Sequence, residues 1–467
     1  MIDNQTTIFD MLYPKKKITK PIRLIELFGG YGSQALALKY LGVKFEHWKL
    51  VEWAVKSIQA YKDIHFTNDN TDYSKYLPKQ HIAKILYHHG ISQNYNEPMT
   101  LDQIKRLNEE SLRKIFNNIV ATTNLVNIQQ VKGKDLEIVD TDKYEYIMTY
   151  SFPCQDLSLA GKGKGMSDTS TRSGLLWEVE RILSECHELG NMPQILLMEN
   201  VPQVHSEDNL SDFNKWKDRL EELGYKNYFQ DLIATDYGIP QTRNRCFMIS
   251  LLGDYSYTFP KPIPLKLKLK DMLEDQVDEK YYLSEKGMQY ICGNALNKEL
   301  KDHIDRSKAK LNKEIAYTIN TKQDRRCGDA NFILDGYGET TIEQFLKIKN
   351  ATSKGYLEAT EGDGIDISSR MEYHRGTVQK GKTQTLTTMG GENNGVVLND
   401  LRIRKLTPRE CGRLMNVKDE DIDKILKNQS DSSAYHLFGD SICTNVLMAI
   451  FGQLLDIEWE KYLWKVQ

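Results

Sequence analysis

The chain has 467 residues, 40% of them hydrophobic and 27% charged, with a formal net charge of −3. That length implies two or three domains with ample material for their cores, and the near-neutral balance excludes a globally basic nucleic-acid binder, so positive charge must be local, as in Lys261 to Lys270 (KPIPLKLKLK). No apolar run reaches the roughly eighteen residues of a membrane span, and seven scattered cysteines without a CxxC pair point away from disulfides and structural zinc and towards reduced thiols.

Ile22 to Leu27 (IRLIEL) reads as a buried parallel strand. The Gly-rich LFGGYG, Leu27 to Gly32, follows it and opens a helical pattern from Ser33 to Leu41. Glycines there let backbone approach a ligand, and a helix start offers free N–H groups, although the pattern is not the dinucleotide GxGxxG. A second strand ends over Lys49 to Trp53. Glu52, twenty residues past Gly32, is placed to accept hydrogen bonds from ribose hydroxyls, and Trp53 to pack on an adenine ring. Residues 62–126 read as a polar, helix-prone insertion. After a strand over Tyr146 to Phe152, the Pro-Cys step of SFPCQDLS (Ser151 to Ser158) falls on a loop at the carboxyl edge of the sheet, ahead of a cationic GKGKG (161–165). Such surroundings lower a thiol pKa, which makes Cys154 a candidate nucleophile. Glu199 follows the apolar strand Gln194 to Met198; in a dry site its carboxyl would be protonated and could donate to a ring nitrogen. In QTRNR, Gln241 to Arg245, the two arginines share a face on a strand and suit anion or base contacts. From about residue 260 to 400 the α/β rhythm is lost. Leu406 to Met415 and Ser441 to Leu455 return to helical periodicity. Strands alternating with helices imply an α/β, doubly wound, Rossmann-like sheet with a second, smaller domain. Taken singly, each motif also fits a tight turn, a core Trp, an inert thiol or a solvated charge.

In combination the motifs resemble the DNA (cytosine-5)-methyltransferase family, of bacterial or phage type. FGGYG, Glu52-Trp53, FPCQDLS, ENV, QTRNR, RKLTPRECGRLM (404–415) and GDSICTNV (439–446) stand in the family's order. The resemblance implies S-adenosylmethionine as cofactor, double-stranded DNA as substrate and base flipping. It implies Cys154 as the nucleophile at cytosine C6, Glu199 at N3, and Arg245 beside the base, with Arg243, Gln155 and Asn200 in support. The cofactor pocket it implies comprises Phe28, Gly30, Gly32, Glu52, Trp53, Asn127, Ile128, Pro153, Leu175, Asp440 and Asn445. DNA contacts are expected from Ser158, Lys162, Lys164 and Arg172 on the catalytic loop and from Thr385 and Leu386 in TQTLTT (383–388), with further contacts around Arg325-Arg326 and Arg370 to Arg375. No metal is expected. The implied domains are a catalytic one over 20–258, with the insertion at about 62–126, a target-recognition domain over 259–433, and a C-terminal helix over 434–467 that returns to the catalytic domain.

Three positions depart from the family's pattern: Glu26 stands for Asp, Asp440 for Asn in GNS, and Asn127 for Asp in Asp-Ile. The first two are expected to keep polar function near the cofactor, and the third to bond an adenine amino group through its carbonyl. A monomer in the cytoplasm is expected, with a cognate restriction endonuclease as partner where the chain belongs to a restriction–modification pair. A tRNA cytosine-5 methyltransferase and a non-catalytic DNA-binding regulator on the same fold are the alternatives. The long 260–400 segment favours DNA over tRNA, and the intact Cys154, Glu199 and Arg245 set opposes the regulator.

Overall fold

The computed structural model describes residues 13–153, 173–284, 345–368, 376–386, 394–398 and 403–463. They fall into two compact units, the larger drawn from 1–267, 385–390 and 408–467 and the smaller from 268–384 and 391–407.

In the larger unit, β1 (Ile22–Leu27), β2 (Phe45–Val51), β3 (Glu145–Tyr150), β4 (Ile195–Asn200), β5 (Tyr225–Ile233) and β6 (Asn244–Leu252) form one sheet in the order β2-β1-β3-β4-β6-β5. The first four run parallel, and β6 is antiparallel to both its neighbours. Every residue of β1, β3 and β4 is buried, as apolar strands covered on both faces require. The chain leaves β1 for β2 on one side and returns for β3 on the other. The switch point therefore lies between β1 and β3, and the crevice beyond their carboxyl ends is where ligands bind in such sheets.

Three strands end elsewhere than the sequence reading put them, and β3 is the first, stopping at Tyr150 rather than Phe152. β2 stops at Val51, which leaves Glu52 and Trp53 in the turn beyond it. β4 runs on through Glu199 and Asn200, because ladder pairing with β6 continues past the last apolar side chain to Asn200 and Cys246.

Helix α1 (Ser33–Tyr40) buries seven of its eight residues and packs against the C-terminal α11 (Thr444–Leu455). The insertion is helical: α3 (Lys79–His89), α4 (Leu101–Arg106) and α5 (Glu109–Ala121) share a core with α2 (Val55–His65) through Ile58, Ile82, Leu86, Ile104, Leu112 and Ile115. A capping box between Thr100 and Gln103 starts α4, and the Asn108 side chain caps α5. The stretch Asp431–Leu455 is long and apolar enough to cross a membrane, yet its most apolar window is 89% buried within the fold. It comprises α10 (Asp431–Asp440) and α11, core helices separated by a break over residues 441–443.

The smaller unit holds a hairpin of β7 (Leu346–Lys349) and β8 (Tyr356–Ala359). It also holds an antiparallel sheet ordered β10 (Val378–Gln379), β9 (Gly364–Asp366), β11 (Asn394–Val397), β12 (Ile403–Lys405). Its core gathers Leu346, Ile348, Ala359, Ile365, Val397 and Ile403. The expected span of 259–433 overshoots this unit at both ends. Residues 259–267 and 408–433 belong with the larger unit. There Asp421 on α9 (Asp419–Leu426) is fully buried and accepts from Lys39 Nζ at 2.9 Å and Tyr40 Oη at 2.9 Å, both on α1.

Gly32, which caps α1, has φ +82, and a Cβ there would lie 2.6 Å from the Tyr61 ring and also meet His65. Gly32→Ala should lower stability by about 3 kcal/mol, from left-handed strain plus overpacking. The midpoint and slope of denaturant unfolding would measure the loss.

Candidate active site

The carboxyl ends of β1 to β4 and the start of β6 converge on one cavity of about 860 Å³, lined by residues of the larger unit. The turn after β1 hangs on the end of β2: Phe28 N donates to Val51 O at 2.8 Å, and Gly30 N donates to Glu52 Oε2 at 3.0 Å. Phe28 and Gly30 both have positive φ, +58 and +56. A Cβ on Gly30 would meet nothing within 4 Å, so the turn faces open space. Ala54 N donates to Glu52 Oε1 at 2.7 Å, which fixes the carboxylate from both sides. Burial lifts the Glu52 carboxyl to about 7 against the pull of these backbone donors. Trp53, Asn127, Ile128, Pro153 and Leu175 complete this end of the cavity, with Asp440 and Ser441 opposite.

At the other end stands Glu199, buried, with Arg245 Nε 3.1 Å from its Oε1. Burial raises the Glu199 carboxyl above its ordinary range, while Arg245 and Arg243 oppose the rise. Asn200 Nδ2 donates to Phe152 O at 3.0 Å, so the end of β4 holds the exit of β3 just ahead of Pro153. Arg243 lines the cavity, but its guanidinium is committed to backbone: it donates to Leu386 O (2.8 Å), Gly439 O (3.1 Å) and Ser441 O (2.5 Å).

Several expected positions lie elsewhere. Gly32 is turned against Tyr61 and His65, away from the cavity. Glu26 lies behind the Gly turn, accepting from Tyr61 Oη at 2.6 Å and Ala35 N at 3.3 Å, and burial lifts it to about 7. Asn445 is buried and donates to Tyr237 O. Thr385 is off the cavity, its hydroxyl bonded to Thr242 O at 3.2 Å, while Leu386 is a fully buried part of the wall. Asn127 lines the cavity, but its carbonyl already accepts Gln129 N at 3.1 Å in a local turn. Cys154, Gln155, Ser158, Lys162, Lys164, Arg172, Arg325, Arg326 and Arg370 to Arg375 lie outside the described residues; Pro153 and Leu175, on either side of 154–172, both line the cavity. The four described cysteines, at 186, 246, 411 and 443, are all buried. Burial pushes the thiols of Cys186 and Cys443 up to about 12, which makes them poor nucleophiles.

The sequence reading missed Ser33, Ser441 and Gln241. The hydroxyls of Ser33 and Ser441 meet at 2.7 Å on the cavity wall. Gln241 accepts from Leu386 N at 3.0 Å and donates to Leu414 O at 2.7 Å, tying three distant segments together. Gln241 opens QTRNR, so the motif contained it. Nor was the loop Asn94–Pro98 of the insertion, another part of the wall, marked by any sequence signal.

The profile of the C-5 cytosine-specific DNA methylase family matches residues 87–456. The chain belongs to that family. It is a DNA (cytosine-5)-methyltransferase, and S-adenosylmethionine is its methyl donor. Its relatives include the orphan methyltransferase M.SssI of Spiroplasma monobiae, 36% identical over 57% of this chain and 68% of that one. Type II methyltransferase M2.ScrFI of Lactococcus lactis subsp. cremoris is 29% identical over 93% of this chain and 99% of its own. Type II methyltransferase M.HhaI of Haemophilus parahaemolyticus is 30% identical over 65% and 74%.

The methyltransferase's cavity fits this donor. Its Glu52 end offers a fixed carboxylate, an open turn and an aromatic ring. Ribose hydroxyls donating to Glu52 require the ionised carboxyl, so binding would release a proton from a group poised at about 7. Because this pKa is raised, the free protein holds the proton below pH 7 and would have to lose it were Glu52 to accept from the ribose hydroxyls. S-adenosylmethionine affinity measured by calorimetry should therefore be about tenfold weaker at pH 6 than at pH 8. Glu52→Gln should flatten that dependence and weaken binding at pH 8.

Proposed function

We propose that this methyltransferase acts on a cytosine flipped out of a specific double-stranded DNA sequence, through a covalent bond between Cys154 Sγ and cytosine C6. The observation that carries the reading is the Glu199–Arg245 pair at the far end of the cofactor cavity, beside the β3 exit that leads through Pro153 to Cys154. Cytosine C5 is a poor nucleophile. Addition of the Cys154 thiolate at C6 makes C5 enamine-like and divides one hard step into easier ones. Glu199, whose burial favours the protonated carboxyl, donates to N3 and offsets the negative charge developing on the ring. Arg245 orients that carboxyl and adds a positive charge beside the base. When bound, S-adenosylmethionine supplies an electrophilic methyl group to C5. Loss of the C5 proton and elimination of the thiolate then regenerate Cys154.

Glu52, Gly30 and Trp53 hold the adenosine part, with Asp440 and Asn127 as further polar contacts. C5 is buried within a duplex, so flipping is required, at roughly a few kcal/mol. The smaller unit is the segment that reads the DNA sequence. The chain acts as a monomer, either beside a cognate restriction endonuclease or alone.

Transfer of labelled methyl from S-adenosylmethionine to mixed duplex DNA and to tRNA tests this. Label should enter DNA alone, vanish with Cys154→Ala and slow at least about a hundredfold with Glu199→Gln. Bisulfite sequencing of the product would read the site. Label in tRNA and not DNA would move the substrate to RNA, and undiminished transfer by Cys154→Ala would remove the nucleophile assignment.

A further inference from the structure

The helical insertion contributes one element to the cofactor cavity, the loop between α3 and α4. The base of that loop is pinned beside the Glu52 turn. Ser92 N donates to Trp53 O at 2.8 Å, Val55 N donates to Ser92 O at 2.9 Å, and Met99 N donates to Ile91 O at 2.8 Å. Its tip is drawn in by Ser92 Oγ donating to Glu97 O at 2.7 Å and by Asn94 Oδ1 accepting from Asn96 N at 3.0 Å. Asn94 to Pro98 line the same cavity as Glu52 and Asp440.

At the tip, Tyr95 has φ +62, a strained conformation for a residue with a side chain. Its ring stacks on that of His436, with centroids 4.0 Å apart and planes at 18°. His436 stands on α10, four residues before Asp440, and also lines the cavity. The Tyr95 hydroxyl is buried near the carboxylates of Glu52 and Asp440, within reach of Ser57 but without a well-directed hydrogen bond. His436 Nδ1 is buried as well. Both residues nonetheless border the cavity, so the stacked pair forms its wall beside Glu52 and Asp440. Burial and the nearby carboxylates raise the affinity of the Tyr95 oxygen for its proton, which keeps it a donor.

We propose that Tyr95 is a cofactor-contacting residue: the 91–99 loop covers S-adenosylmethionine, with the Tyr95 ring sealing the pocket against His436. The insertion thereby sets cofactor affinity, and the Tyr95–His436 stack parts when S-adenosylhomocysteine leaves. This rests on the reading that the cavity takes S-adenosylmethionine.

The test is calorimetric binding of S-adenosylmethionine and S-adenosylhomocysteine to the full chain, with steady-state KM values for cofactor and for DNA. Tyr95→Ala should weaken both cofactor ligands about tenfold and leave the KM for DNA unchanged. Tyr95→Phe, which keeps the stack and the fold, should leave them within about twofold of wild type. His436→Ala should weaken them too, and its combination with Tyr95→Ala should be less than additive, because the two share one stack. Dissociation constants for Tyr95→Ala within twofold of wild type, at unchanged melting temperature, would overturn the proposal and leave the functional reading intact. A wild-type chain that binds neither ligand would overturn both.

Discussion

One buried guanidinium holds the catalytic edge together. Arg243 is 4% exposed, and burial with Arg245 nearby lowers its pKa to about 10. A cation this deep is tolerated only with hydrogen-bonding partners, and its partners come from two distant stretches of chain. Leu386 supplies one carbonyl, Gly439 and Ser441 the others. The Gly439 carbonyl belongs to the last turn of α10, where a cation also meets the negative end of the helix dipole. Three segments far apart in sequence thus become one wall, and that wall presents Asp440, Ser441 and Leu386 to the cavity.

The cavity then divides by its electrostatics. At one end Glu52 is met by two backbone N–H groups; at the other Glu199 is met by a guanidinium. Both carboxyls are raised by burial, but the partners suit different tasks. Backbone donors leave Glu52 free to ionise and accept from hydroxyls. The Glu199–Arg245 pair sets an opposite charge against the cost of burying the carboxyl.

Much of this was legible in the sequence because strands of a covered parallel sheet must be apolar throughout, and residues just past them must lie at the ligand-binding edge. Ile22 to Leu27 and Gln194 to Met198 gave β1 and β4, and with them Phe28, Gly30 and Glu199 on the cavity. What failed is direction. Successive residues of a strand or a tight turn point different ways, so proximity in sequence put Glu26 and Gly32 with the cofactor when both face Tyr61. Asn445 sits on a helix buried all round, where polarity in sequence says nothing of which neighbour it meets. Arg243 and Leu386 were read as nucleic-acid contacts, whereas each satisfies the other within the protein. The 91–99 loop was invisible because its place over Glu52 depends on how the insertion packs on α2. Residues 408–433 were read as part of the target-recognition domain, but the buried Asp421 ties them to α1.

The central claim is the covalent step, and the most direct measurement is a trapping experiment. In a duplex carrying 5-fluorocytosine at the target position, C5 has no proton to lose after methylation, so elimination is blocked and the adduct persists. With S-adenosylmethionine present, the account predicts a denaturation-resistant protein–DNA complex whose peptide mass places the link at Cys154. A failure to trap on DNA that is otherwise methylated, or a link at any other cysteine, would contradict it.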